Sequence, residues 1–229
     1  MGPGIPALDA PRQSGFVMVH VTIPEVRTGP VSRLIVLVHG LGRSPASMWA
    51  LGAYLRARGF RTRCVGYAST RGDIAASEGL LREALAGLGP MDLVGHSLGG
   101  LLAARLLRAP EELEIGRVVQ LGSPNRGSPL AEKLGGTWLV RRMCGPAVAD
   151  LSREGARPAP HPRIGAIAGT GGWNGMALHR PHDGAVTLRS AWQGAGHRTH
   201  VPVLHTLLPL SPAAARRVAE FLTLGRFER

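Results

Sequence analysis

The sequence predicts an α/β fold, a mostly parallel central sheet with helices on both faces. Three observations lead there. Short, nearly continuous apolar runs recur along the chain, as expected of strands buried on both faces of a parallel sheet. Stretches with apolar residues at helical spacing lie between them, and that alternation is the order of a sheet covered on both sides. The chain has 229 residues, of which 44% are apolar, enough for one domain with a large core.

Taken in order, residues 1–15 are rich in Gly and Pro and are read as an irregular segment preceding a single domain over 16–229. Residues 16–23 alternate loosely, as an early strand would. Residues 33–38 form the first continuous apolar run and end at His39-Gly40. Ser44 suits an N-cap and Pro45 the first helical position. Met48, Leu51 and Leu55 then follow at helical spacing, and Gly59 suits the stop. Residues 60–67 read as the second strand. Asp73 caps a helix with the stripe Ile74, Leu81, Leu85 and Leu88. Residues 91–94 form the third strand and 98–108 the next helix. Residues 117–121, 163–168 and 201–204 are the fourth, fifth and sixth strands. Ser211-Pro212 opens a last helix with Val218, Phe221 and Leu222 inward. The one long excursion, 123–162, is short enough to imply a small lid or none.

Composition excludes several function classes. No run of 18 apolar residues suggests a membrane span. Met1 to Asp9 shows neither a basic n-region nor an apolar h-region, so the expected location is cytoplasmic, with secretion left open. Cys64 and Cys144 lack metal-ligand spacing and are expected to be two buried thiols, with a single disulfide as the alternative. The net charge of +12 rests on scattered arginines and a single lysine, Lys133. No basic block is interleaved with aromatics, so no specific nucleic-acid partner is expected. Weak association with an anionic membrane surface stays open, and the oligomeric state is not legible.

The stretch that carries chemistry is Gly95-His96-Ser97-Leu98-Gly99, which fits G-x-S-x-G between a predicted strand and a predicted helix. Such a turn is tight enough that side chains at the two glycines would clash, and it lifts Ser97 above the sheet. A serine hydroxyl needs a base at neutral pH. Of the nine histidines, His205 follows the predicted sixth strand directly and stands at the sheet's carboxyl edge. His197 and His200 are expected before that strand, at its opposite end. The imidazole in turn needs a carboxylate. Asp183, on the loop after the fifth strand, stands at the same edge. Its rivals Asp150 and Glu154 fall in the excursion, and Asp92 falls at the wrong end of its strand. His39 and His96, fixed by their own turns, and Trp138 are expected to bind substrate.

The order Ser97, Asp183, His205 resembles that of α/β-hydrolases. The sequence is similar to the bacterial lipase and esterase type in five stretches: His39-Gly40-Leu41-Gly42, Gly95 to Gly100, Leu121 to Ser128, Asp183-Gly184 and His205, together within 34–225. Asn125 departs from the histidine that related lipases carry there. The resemblance implies an oxyanion hole built from the N–H groups of Leu41 and Leu98, each worth about 3 kcal/mol to the transition state. It implies a Ser-His-Asp esterase acting on an ester or lipid. Acyl transfer, thioester cleavage and a non-catalytic binding protein of the same fold are the alternatives. No cofactor is expected. The five aspartates, Asp9, Asp73, Asp92, Asp150 and Asp183, are well separated, so no metal is expected either.

Overall fold

The structure is a computed structural model and describes residues 33–109, 113–129, 132, 147, 150, 158–172 and 181–228. Six strands form one sheet: β1 (Leu34–Val38), β2 (Thr62–Val65), β3 (Met91–His96), β4 (Ile115–Leu121), β5 (His161–Gly169) and β6 (Ala195–Val201). Their order is β2-β1-β3-β4-β5-β6, and every neighbouring pair is parallel. The chain steps outward from β1 to β2 and then returns to the other side of β1 as β3. That reversal makes a crevice beyond the carboxyl ends of β1 and β3, where ligands bind in such sheets.

The central strands are apolar because both of their faces are covered. Val36, Val38 and Leu93 face one layer, with Leu81, Leu85, Leu98 and Leu102 from α2 (Ile74–Leu85) and α3 (Leu98–Arg108). Ile35, Leu37 and Val94 face the other, with Leu51 and Leu55 of α1 (Trp49–Arg56) and Val218 and Phe221 of a C-terminal helix. A four-residue helix, α4 (Leu188–Ala191), covers the β5 end, and the C-terminal helix is α5 (Pro212–Leu224).

Caps expected from the sequence hold α2 and α5. Asp73 accepts from the Ala76 N–H at 2.8 Å, and Ser211 accepts from the Ala214 N–H at 3.3 Å. Ser44 is different: its side chain caps nothing, and Pro45–Met48 form a 3₁₀ turn leading into α1. Its carbonyl instead accepts from the Ser47 hydroxyl at 2.7 Å.

The sixth strand begins six residues earlier, and ends three residues earlier, than the sequence suggested. β6 is Ala195–Val201, so His197 and His200 are within it, and His205 follows its end by four residues. The physical reason is that β6 is an edge strand. It pairs with β5 alone, and all five residues between its buried ends are at least partly exposed, so Gly, His, Arg and Thr suit it. Pro202 interrupts the more apolar stretch that looked like the strand. Cys64 is a half-buried free thiol on β2 rather than a buried one. Residues 16–23, Trp138, Cys144, Glu154 and most of the 123–162 excursion, and with it the question of a lid, lie outside the described residues. Among the described residues no helix is long and apolar enough to cross a membrane.

Candidate active site

Ser97 occupies the turn between β3 and α3 with φ 53° and ψ −120°, the one described non-glycine residue with positive φ. Backbone strain of this kind persists only where the surroundings enforce it. The glycines do so here. A Cβ at Gly95 would run into the backbone of Gly99 and Gly100, and one at Gly99 into the carbonyl oxygens of Val38 and His39. Strand and helix therefore approach more closely than any side chain permits. The Ser97 N–H donates to the Leu121 carbonyl at 2.9 Å, which ties the turn to the end of β4.

Beyond the same edge, His205 opens a 3₁₀ turn (His205–Leu210), and Asp183 lies on the loop between β5 and α4. The His205 Nδ1–H donates to Asp183 Oδ2 at 2.8 Å, and Nε2 faces the Ser97 hydroxyl at 3.1 Å. A carboxylate only accepts, so Asp183 fixes the tautomer and leaves the Nε2 lone pair to accept from Ser97 Oγ. Asp183 is 1% exposed. Its other oxygen accepts from the N–H groups of Ala185 at 3.0 Å and Val186 at 2.7 Å, which orients the carboxylate. Gly122, at φ 59° after β4, leaves room for the pair. A Cβ there would meet Leu208 at 2.7 Å, Asp183 Oδ2 at 3.0 Å and His205 Nδ1 at 3.1 Å.

The loop after β1 runs beside Ser97. A Cβ on Gly40 would stand 3.1 Å from Ser97 Cβ. The loop is closed by the Arg43 N–H donating to the Gly40 carbonyl and by the Gly42 N–H donating to Ser69 Oγ. Leu41 is half-buried in this loop, and Leu98 is the first residue of α3, where a backbone N–H has no partner within the helix. A cleft of about 500 Å³ opens beside it, bounded by Gly42, Arg43 and the stretch from Tyr67 to Arg71. A larger one, about 830 Å³, lies at the opposite edge of the sheet among Arg33, Arg108, Ile115 and Arg163. There the three arginines donate to backbone carbonyls, and none of the residues around Ser97 takes part.

His39 and His96, expected to bind substrate, are each 1% exposed. His39 stacks on Tyr67 with ring centroids 4.7 Å apart, its Nδ1–H donates to the Gly40 carbonyl, and the Tyr67 hydroxyl donates to the His39 carbonyl at 3.1 Å. Burial pushes its pKa down. His96 lies beneath His205, and burial holds its pKa well below the usual histidine value, with His205 and Arg43 adding to the effect. Both are neutral supports. Of the other candidates, Asp150 accepts from the Ile74 N–H at the start of α2, His197 packs on Phe221, and His200 on Trp192.

One supporting residue, Gln120, escaped the sequence reading, and its partner Asn125 was noted there only as a departure from the lipase pattern. Gln120 and Asn125 exchange side-chain hydrogen bonds at 3.0 Å. Gln120 also donates to the Gly100 carbonyl at 2.9 Å, and Asn125 to the Ala191 carbonyl at 3.1 Å. Together they tie the first turn of α3 to α4. A glutamine inside an otherwise apolar buried strand was the available signal, because such a side chain needs a partner. Among the described residues no three His, Cys, Asp or Glu side chains converge as a metal site would require.

The sequence model of the alpha/beta hydrolase family matches residues 35–226. Among solved structures, the chain is similar to the lipase of Staphylococcus hyicus, with 14% identity, 86% of this chain and 95% of that one covered, and a TM-score of 0.60. It is similar to a gene product of Listeria innocua, with 16% identity, 86% and 96% covered, and a TM-score of 0.58. It is also similar to a carboxylesterase of Bacillus subtilis, with 20% identity, 85% of each chain covered, and a TM-score of 0.53. None of the curated proteins compared is a match.

Proposed function

The chain belongs to the alpha/beta hydrolase family, and from that premise we propose that it is a serine hydrolase cleaving carboxylic esters. The observation that carries the reading is the unbroken hydrogen-bonded line from Asp183 through His205 to Ser97. In this reading His205 Nε2 takes the Ser97 proton as Oγ attacks the ester carbonyl. Asp183 stabilises the imidazolium that forms, without itself taking the proton. The N–H groups of Leu98 and Leu41 receive the developing oxyanion, helped by the positive end of α3. His205 then protonates the departing alcohol, and a water attacks the acyl-enzyme by the same route.

Exposed leucines next to the base favour an apolar ester. Leu204, Leu207 and Leu210 are 42%, 46% and 55% exposed on or beside the turn that begins with His205. The names of the Staphylococcus hyicus lipase and the Bacillus subtilis carboxylesterase support the same substrate class. Fold likeness by itself does not select a substrate.

The test is turnover of p-nitrophenyl butyrate together with labelling by a fluorophosphonate probe. Ser97→Ala is expected to abolish labelling and lower kcat by at least about 10³-fold. Asp183→Asn is expected to lower kcat by about 10⁴-fold through the wrong histidine tautomer. Full activity in Ser97→Ala overturns the reading. Faster turnover of acyl thioesters, or acyl transfer to an added alcohol in preference to water, replaces ester hydrolysis with the corresponding reaction of the same residues.

A further inference from the structure

We propose that His96 is a positioning residue that sets the distance between His205 and Ser97 by holding the His205 backbone. The inference rests on the serine hydrolase reading and adds to it a fourth side chain that touches no substrate. The His96 Nε2–H donates to the His205 carbonyl at 3.0 Å, and the two rings lie 4.8 Å apart. The His205 N–H donates to the Asp183 carbonyl at 2.8 Å. Both backbone groups of the base are thus fixed, one by the carboxylate residue and the other by the residue that precedes the nucleophile. The side-chain line from Asp183 to His205 to Ser97 is matched by a second line running from the Asp183 carbonyl through the His205 backbone to the His96 ring.

The second line matters because His205 opens a 3₁₀ turn, four residues beyond the end of an edge strand. No strand pairing holds it in place. A general base displaced by about 1 Å loses about 10²-fold in rate. A link to the residue bonded directly to Ser97 supplies the missing constraint.

Packing does not account for a histidine at this position. His96 is 1% exposed, and its Nδ1 has no hydrogen-bond partner. That nitrogen lies against the loop after β1, where a Cβ on Gly40 would stand 3.1 Å from it. An unpaired buried nitrogen is a cost that an apolar side chain of similar size avoids. What the histidine supplies in exchange is the N–H to His205. The charged and titratable groups that face it are His205 from the 3₁₀ turn and Arg43 and His39 from the loop after β1. Burial, with the charges of these three groups, outweighs the bond to the His205 carbonyl that favours protonation, so the ring stays neutral and Nε2 keeps its proton as donor.

Three variants test the proposal in the full-length protein: His96→Leu, which removes the donor, His96→Gln, whose amide nitrogen reaches the position of Nε2, and His96→Asn, whose amide stops short of it. With p-nitrophenyl butyrate, Leu and Asn are expected to lower kcat by about 10- to 100-fold at unchanged KM. Fluorophosphonate labelling should slow by the same factor, and the acid limb of the kcat/KM profile should shift. Gln should stay within a few-fold of wild type in all three readouts. Wild-type kcat and labelling in the Leu variant overturn the proposal. If Leu fails to fold, Gln and Asn decide alone, and equal activity of the two overturns it. A wild-type protein that neither labels nor turns over overturns the hydrolase reading, and this proposal falls with it.

Discussion

His39 and His96 are both buried, and burial lowers the pKa of each below 6.5. The unfolded chain therefore takes up protons at these positions before the native chain does. The native state is at no disadvantage well above pH 6.5 and loses stability as the pH falls below that value. The loss amounts to at most about 1.4 kcal/mol per pH unit for each group. Asp92 acts in the opposite sense at lower pH. Burial raises its pKa above 3.8, so acid relieves the strain of ionising it. The expected outcome is a denaturation midpoint that falls as the pH is lowered from about 7 to about 5. His96→Gln should show a shallower fall, and equal slopes in the two proteins would contradict a neutral buried His96.

The strand–turn–helix of β3 and α3 is built on what glycine lacks. Gly95→Ala places a methyl against the backbone of Gly100, with no flexible side chain to move aside. The expected cost is about 3 kcal/mol or more, with turnover lost as the Ser97 turn opens. Gly79 is the control on α2. It is exposed, and a Cβ there meets nothing within 4 Å. Gly79→Ala is expected to stabilise by about 0.5–1 kcal/mol, because alanine restricts the unfolded chain and suits a helix interior. Urea denaturation of both variants checks the pair, and activity should survive only in the second. The same contrast explains which elements were legible. α3 and the caps of α2 and α5 depend on groups a few residues apart, so Asp73, Ser211 and the glycine pattern announced them. β6 depends on pairing with β5 and on being an edge, and neither is a local property.

At the scale of the whole molecule, Phe221 joins the last helix to the sheet. It is fully buried against Gly165 of β5, where a Cβ would meet its ring at 2.8 Å, and its ring lies 5.5 Å from His197 and 5.1 Å from Phe227. Phe221→Ala is expected to cost about 3–5 kcal/mol, read from the denaturation midpoint, because the ring fills space that no neighbour can close. The loss should exceed that of any cap variant, since a cap such as Ser211 contributes only about 1 kcal/mol. The site depends on this packing indirectly. α5 leads back to the 3₁₀ turn that begins with His205, and Leu208 of that turn is buried in the same layer as Phe221.

By itself the sequence determined the class of fold, the tight turn around Ser97 and the placing of Asp183 and His205 on loops at the carboxyl edge. Each of these follows from chain-local chemistry: apolar periodicity, glycine where a side chain does not fit, and a polar residue on the stretch that follows a strand. Only the tertiary structure decided where β6 runs, that His39 and His96 are buried, and that Gln120 and Asn125 clamp α3 to α4. Those outcomes depend on groups far apart in the chain, such as His96 and the His205 carbonyl, whose meeting is set by strand order and packing. The spacing of residues along one segment carries no record of it.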